Sequence, residues 1–162
     1  MKILIVYYSL EGNTKYVAEK IAEQTGAEVL RLEPEKAYPA GKVTKYLWGG
    51  RSAVMGDAPK LKSYEAELSD YEMIVFGTPV WASTFAPPLR SFIKNHKEEL
   101  KQKKVAFFAC SAGGSAEKCF ENLKRELSAG ESVTSLHLTD PMWKQSEDNL
   151  VQIESFCKKI VG

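Results

Sequence analysis

The sequence predicts an α/β domain in which a parallel sheet is covered by helices on both faces, and three observations carry that prediction. Five short apolar runs recur along the chain, and most of them lead into a segment with helical periodicity. The first run, Ile3-Leu4-Ile5-Val6-Tyr7-Tyr8, is apolar without alternation, as strands buried on both faces are. At 162 residues the chain has the length of one domain, able to bury roughly 70% of its unfolded surface, so a single domain over residues 1–162 is expected.

Taken in order, the first strand is predicted over Lys2–Tyr8. Thr14–Thr25 follows as a helix, with Val17, Ala18, Ile21 and Ala22 on one face and Gly26 suited to its left-handed C-terminal position. Glu28–Leu32 is the second strand. The stretch 34–63 is irregular, punctuated by Pro34, Pro39, Gly41, Gly49, Gly50, Gly56 and Pro59, with a helix expected over Lys42–Met55. Glu72–Gly77 reads as the third strand, Pro87–Asn95 as a helix and Val105–Cys110 as the fourth strand. Ala116–Ser128 is then helical, Val133–Leu138 is the fifth strand, and Glu147–Ile160 closes the chain as a helix with Leu150, Ile153, Phe156 and Ile160 in helical register. No internal repeat or low-complexity segment interrupts the pattern.

Composition narrows the function. Lys and Arg number 22 against 21 Asp and Glu, a balance that argues against nucleic-acid and membrane partners. Three cysteines, Cys110, Cys119 and Cys157, lack CxxC or Cys/His spacing, so neither a disulfide framework nor a metal site is expected and a reducing compartment fits. The apolar runs are far shorter than the ~20 residues of a membrane helix. A soluble, cytoplasmic protein is the expectation.

In an open parallel sheet the ligand crevice lies beyond the carboxyl ends of the strands. Ser9-Leu10-Glu11-Gly12-Asn13-Thr14 stands there, between the first strand and the first helix. The hydroxyls of Ser9 and Thr14, the Asn13 amide and the N–H groups of the first helical turn can converge on one phosphate, aided by the helix dipole, while Gly12 lets the backbone turn tightly. Thr78-Pro79-Val80-Trp81-Ala82-Ser83-Thr84 follows the third strand and is read as a loop, with the indole of Trp81 available to a flat ligand. Ser111-Ala112-Gly113-Gly114-Ser115 follows the fourth and permits main-chain contact with a ring edge. Trp48 and Trp143 suit either packing or a lid. His96 and His137 read as structural or solvated, and the cysteines as small buried hydrophobes. A phosphate cup, an aromatic loop and a glycine loop match the three parts of flavin mononucleotide (FMN).

Tyr8-Ser9-Leu10-Glu11-Gly12-Asn13-Thr14-Lys15 and Gly77-Thr78-Pro79-Val80-Trp81-Ala82 resemble the phosphate loop and flavin-ring loop of the flavodoxin family, and the similarity spans essentially the whole chain. The resemblance implies a flavodoxin-like three-layer sandwich, a five-stranded parallel sheet in order 2-1-3-4-5, and bound FMN doing one- or two-electron redox work. It assigns Ser9, Glu11, Gly12, Asn13 and Thr14 to the phosphate, Pro79, Val80, Trp81 and Ala82 to the isoalloxazine, and Ser111, Gly113 and Gly114 to its pyrimidine edge. Two departures stand out. Glu11 replaces the threonine of many flavodoxins, so its backbone serves the phosphate while its carboxylate turns to solvent. The chain is also neutral where electron-shuttling flavodoxins are acidic, and the 110–115 loop has no aromatic residue to cover one flavin face.

Other chemistries of similar sheets lack their motifs here. The loop after the first strand is neither Gly-x-Gly-x-x-Gly nor a P-loop. A receiver's acidic residues are replaced by Tyr7-Tyr8 and Gly77-Thr78. Cys110 is followed at phosphatase spacing by Ala116 instead of Arg, and Glu117 stands where a Gly-x-Ser-x-Gly elbow needs glycine. The sequence therefore reads as an FMN-dependent electron-transfer protein serving redox partner proteins. The alternative is an NAD(P)H-dependent FMN oxidoreductase acting on quinones or similar small acceptors, and a third reading is a flavin-free partner-binding scaffold. The carrier reading implies a monomer and the reductase a homodimer. In each flavin reading the named residues bind and none acts as acid, base or metal ligand.

Overall fold

β1 (Ile3–Tyr7) is buried along its whole length, as befits a strand with neighbours on both sides and helices above and below. The computed structural model describes residues 1–39, 50–128 and 132–162. In them β1 pairs in parallel with β2 (Glu28–Arg31) on one side and with β3 (Met73–Trp81) on the other. β3 pairs in parallel with β5 (Lys104–Ser111), and β5 with β6 (Ser132–Thr139). A two-residue strand, β4 (Thr84–Phe85), folds back antiparallel on the end of β3. The order is β2-β1-β3-β5-β6. Setting β4 aside, this is the predicted 2-1-3-4-5.

Alternation of side chains along the strands separates two apolar layers. Ile3, Ile5 and Tyr7 of β1, with Phe108 of β5, pack beneath α1 (Asn13–Thr25) and the C-terminal helix, where Val17, Ile21, Ile153 and Phe156 meet them. Leu4, Val6 and Tyr8, with Phe76 and Phe107, face the opposite side. There α2 (Pro87–Asn95) contributes Leu89, Phe92 and Ile93; the one-turn α3 (Lys97–Leu100) contributes Leu100; and α4 (Glu117–Leu127) contributes Cys119, Leu123 and Leu127. Each fully buried Leu, Ile or Phe contributes about 1.5–3 kcal/mol, so these two layers dominate the stability. At Gly77 the layers press on the backbone itself: a Cβ there would lie 2.1 Å from Cζ of Phe108.

Helix ends follow local chemistry. Gly26 ends α1 at φ 70°, its N–H donating to the Ala22 carbonyl at 2.9 Å. Prolines open α2, where no intrahelical donor is needed. Ser146 caps α5 (Glu147–Val161), accepting from the Asn149 N–H at 3.1 Å.

The third strand departs from expectation. It does not stop at Gly77; it continues to Trp81, turns through Ala82 and Ser83, and returns as β4. Pro79 is tolerated because successive residues of a strand bond to opposite neighbours. Gly77 accepts from the Tyr8 N–H at 3.2 Å, so the missing N–H of Pro79 also points toward β1, which has already ended. Thr78 locks the hairpin, its hydroxyl oxygen accepting from the Ala86 N–H at 2.9 Å and its proton going to the Pro79 carbonyl at 2.7 Å. Of the helix expected over Lys42–Met55, residues 50–54 are helical; residues 42–49, Trp48 among them, lie outside the described residues.

Candidate functional site

From β1 the chain moves first to β2 on one side and then crosses to β3 on the other, so the carboxyl ends of β1 and β3 flank the point where strand order reverses. A cavity of about 960 Å³ opens there, within the range that holds a small-molecule ligand. Of the residues predicted for a ligand, Ser9, Glu11, Asn13, Thr14, Pro79, Val80, Trp81, Ser111, Gly113 and Gly114 line it. Gly12 and Ala82 do not line it; both shape the backbone beside it.

At one end lies the N-terminus of α1. Its hydrogen-bond ladder begins with the Tyr16 N–H donating to the Gly12 carbonyl at 2.9 Å. The N–H groups of Asn13, Thr14 and Lys15 therefore have no acceptor within the helix. No side chain caps this end and its first turn holds no acidic residue, so the positive end of the dipole faces the cavity. Gly12 sits at φ +112°, and a Cβ on it would lie 3.1 Å from Sδ of Met142. Its N–H is occupied, donating to Oγ of Ser9 at 3.1 Å. Ser9 thus fastens the loop as well as facing the cavity, and its carbonyl accepts from Nη2 of Arg31 at 3.0 Å. Thr14 is buried.

The Asn13 side chain reaches across to the segment after β6. Its Oδ1 accepts from the Met142 N–H at 3.0 Å, and Nδ2 lies 3.5 Å from Oδ1 of Asp140. Asp140 is held at φ +40° with its N–H donating to the Ser111 carbonyl at 2.9 Å. Asp140, which was not expected there, and Trp143, which suited either packing or a lid, also line the cavity. Their signal is positional: they follow the last strand as the other lining residues follow theirs. Leu10, Ser83, Cys110, Ala112 and Ser115 complete the wall, each adjacent in sequence to a predicted residue.

Trp81 corrects the expectation in a different way. Its place in a supposed loop argued against packing, yet it ends a strand and is only 6% exposed. Its ring meets Tyr8 at 5.6 Å and Tyr38 at 5.2 Å between centroids, both edge-on. The indole is core on one side and cavity wall on the other. Trp143, by contrast, is 75% exposed at the cavity rim. Ala82 and Ser83 form the two-residue turn at φ 48° and 64°, positions where an L side chain is strained.

The thiols are chemically quiet. Burial pushes Cys110 and Cys119 up to about 12. His96 bridges Nε2 to the Tyr64 hydroxyl at 2.9 Å and Nδ1 to Glu99 at 3.0 Å, away from the cavity. His137 lies behind the cavity wall, with Nε2 2.6 Å from Oγ of Ser111. Among the described residues no cluster of three metal-ligating side chains occurs, and no helix is long and apolar enough to cross a membrane.

Known proteins resemble this chain over most of its length. Residues 2–147 match the family model described as flavodoxin. A flavoprotein from Lactobacillus acidophilus, solved in complex with FMN, superposes with a TM-score of 0.74 at 24% identity, covering 87% of this chain and 94% of its own. A Bacteroides eggerthii protein superposes at 0.76 and 25% identity over 99% and 98% of the two chains. A protein of Geotalea uraniireducens named NAD(P)H dehydrogenase (quinone) is 33% identical over 97 residues, 57% of this chain and 47% of that relative, so the chain spans about half that relative's length.

Proposed function

The chain belongs to the flavodoxin family, and from that premise we propose that it binds FMN non-covalently and carries electrons between a donor and an acceptor. One observation carries the reading: a single cavity joins the uncapped N-terminus of α1 to the Trp81 hairpin and the Ser111–Gly114 loop at the reversal of strand order. FMN has a dianionic phosphate at one end and a flat, amphipathic ring at the other, and the two ends of the cavity offer the matching chemistry. When bound it supplies the redox-active ring. The protein's residues do the rest.

In this reading the N–H groups of Asn13, Thr14 and Lys15 hold the phosphate with the hydroxyls of Ser9 and Thr14. Pro79, Val80 and Trp81 exclude water from the ring, and backbone groups of Ser111, Gly113 and Gly114 hold its polar edge. Glu11 is exposed and contributes main chain. Gly12 and Ala82 act through backbone shape, not contact. No proton-transfer residue is assigned.

A second reading, an NAD(P)H-dependent oxidoreductase of quinones, is favoured by the name of the Geotalea relative and by a net charge of +1, unlike the strong negative charge of a shuttle. The deciding titration adds FMN to flavin-stripped protein and follows flavin fluorescence, with riboflavin as the phosphate-free control. Tight, phosphate-dependent quenching is expected, and its absence from folded protein would leave only the scaffold reading. Steady-state oxidation of NADPH by the loaded protein, with a quinone as acceptor, then separates reductase from carrier.

A further inference from the structure

At the end of β5 the cavity wall is backed by a titratable group that the cofactor reading leaves unused. Ser111 lines the cavity and is 8% exposed, and its Oγ lies 2.6 Å from Nε2 of His137 on the adjoining strand. A serine hydroxyl has one proton and two lone pairs, so its partner on one side determines what it presents on the other. If Nε2 is unprotonated, Ser111 donates to it and turns a lone pair to the cavity. If Nε2 carries a proton, Ser111 accepts, and its own proton becomes available to an acceptor in the cavity.

We propose that neutral His137 carries its proton on Nδ1 and is a positioning residue for the bound ring, acting through Ser111, which it switches from hydrogen-bond acceptor to donor toward the ring's pyrimidine edge when Nε2 takes up a proton. The inference rests on the FMN reading above. It also makes His137 responsive to the cofactor's charge: an electron-rich ring favours a donor at Ser111 and a cation behind it, so reduction should raise the proton affinity of His137.

The surroundings leave His137 free to respond. Burial alone lowers its pKa from the ordinary histidine value. Neighbouring elements carry Lys104 at the far end of β5, Glu117, Lys118, Glu121, Lys124, Arg125 and Glu126 on α4, and Asp140 beyond β6, paired with Lys144 at 3.8 Å. None of these contributes to the shift. With no fixed counter-charge acting on it among the described residues, the imidazole is neutral near pH 7 and the reacting ring is the variable charge it faces.

The test uses FMN-loaded protein. Histidine ring resonances are titrated by NMR with the cofactor oxidised and then reduced, and the flavin midpoint potential is followed from roughly pH 5 to 8, spanning the ordinary histidine range, in wild type, His137→Gln and Ser111→Ala. The proton affinity of His137 should rise about threefold or more on reduction. The wild-type potential should climb more steeply than that of either variant as pH falls through the His137 titration. An unchanged His137 titration in the two redox states overturns the proposal without any variant, as do superimposable potential curves. A folded protein that takes up no FMN fails earlier, at the fluorescence titration, and overturns the cofactor reading together with this one; a loaded protein with an indifferent His137 overturns this one alone.

Discussion

Asn13 and Thr14 illustrate how much one residue can be asked to do at this site. The Thr14 hydroxyl is placed to serve the phosphate, so Thr14→Ala should weaken FMN by about 1–3 kcal/mol for the charge-assisted hydrogen bond lost, whereas Asn13→Ala keeps its backbone N–H and should act on FMN only through the lost side-chain bonds to Met142 and Asp140. Riboflavin affinity should hardly change in Thr14→Ala; fluorescence titration of both flavins checks this. Trp81→Ala should weaken riboflavin as well as FMN, since the indole faces the ring and not the phosphate. Gly77 tests packing without touching the ligand. A methyl group there meets the Phe108 ring at 2.1 Å, so Gly77→Ala should cost about 1–3 kcal/mol of stability. Gly113→Ala, with open space around it, should leave the urea midpoint nearly unchanged.

Among the elements, the β3–β4 hairpin bears the strain. Ala82 and Ser83 hold positive φ where Asn-Gly would suit the turn. Replacing the pair with Asn-Gly should stabilise the fold by about 0.5–1 kcal/mol per position, read as a raised urea midpoint. A lowered midpoint would mean that the side chains there contribute packing that outweighs the strain. This hairpin is also where the sequence was hardest to read. Strands and helices marked by long apolar periods were legible to within a residue or two, and Pro87–Asn95 was bounded as found. Thr78–Trp81 carries Pro79 and small residues, the composition of a loop, and only the loss of β1 as a neighbour makes that composition compatible with a strand. The phosphate loop was legible because its donors are local. Asp140 and Met142 were not, because their bonds to Asn13 span 127 and 129 residues of chain and no local pattern records them.

For the molecule as a whole, buried titratable groups set a window of stability in pH. The folded chain lowers the pKa of His137 below 6.5, so the unfolded chain binds more protons below that value and stability falls as pH drops through it. Burial holds the thiols of Cys110 and Cys119 protonated up to about 12 against 9.0 for an exposed thiol. The unfolded chain loses those protons first, and stability falls again as pH rises past about 9. Urea midpoints measured across the range should form a plateau between these limits, with Cys119→Ala flattening the alkaline descent. The placement of Trp81, core on one face and cavity wall on the other, carries a consequence for the life of the protein. A ligand seated against that indole extends the hydrophobic interior, and at a hundredfold excess over its Kd it would add about 2.7 kcal/mol to the native state. Empty chains would then be the ones that open and are degraded, so cofactor supply would set the abundance of this protein as well as its occupancy.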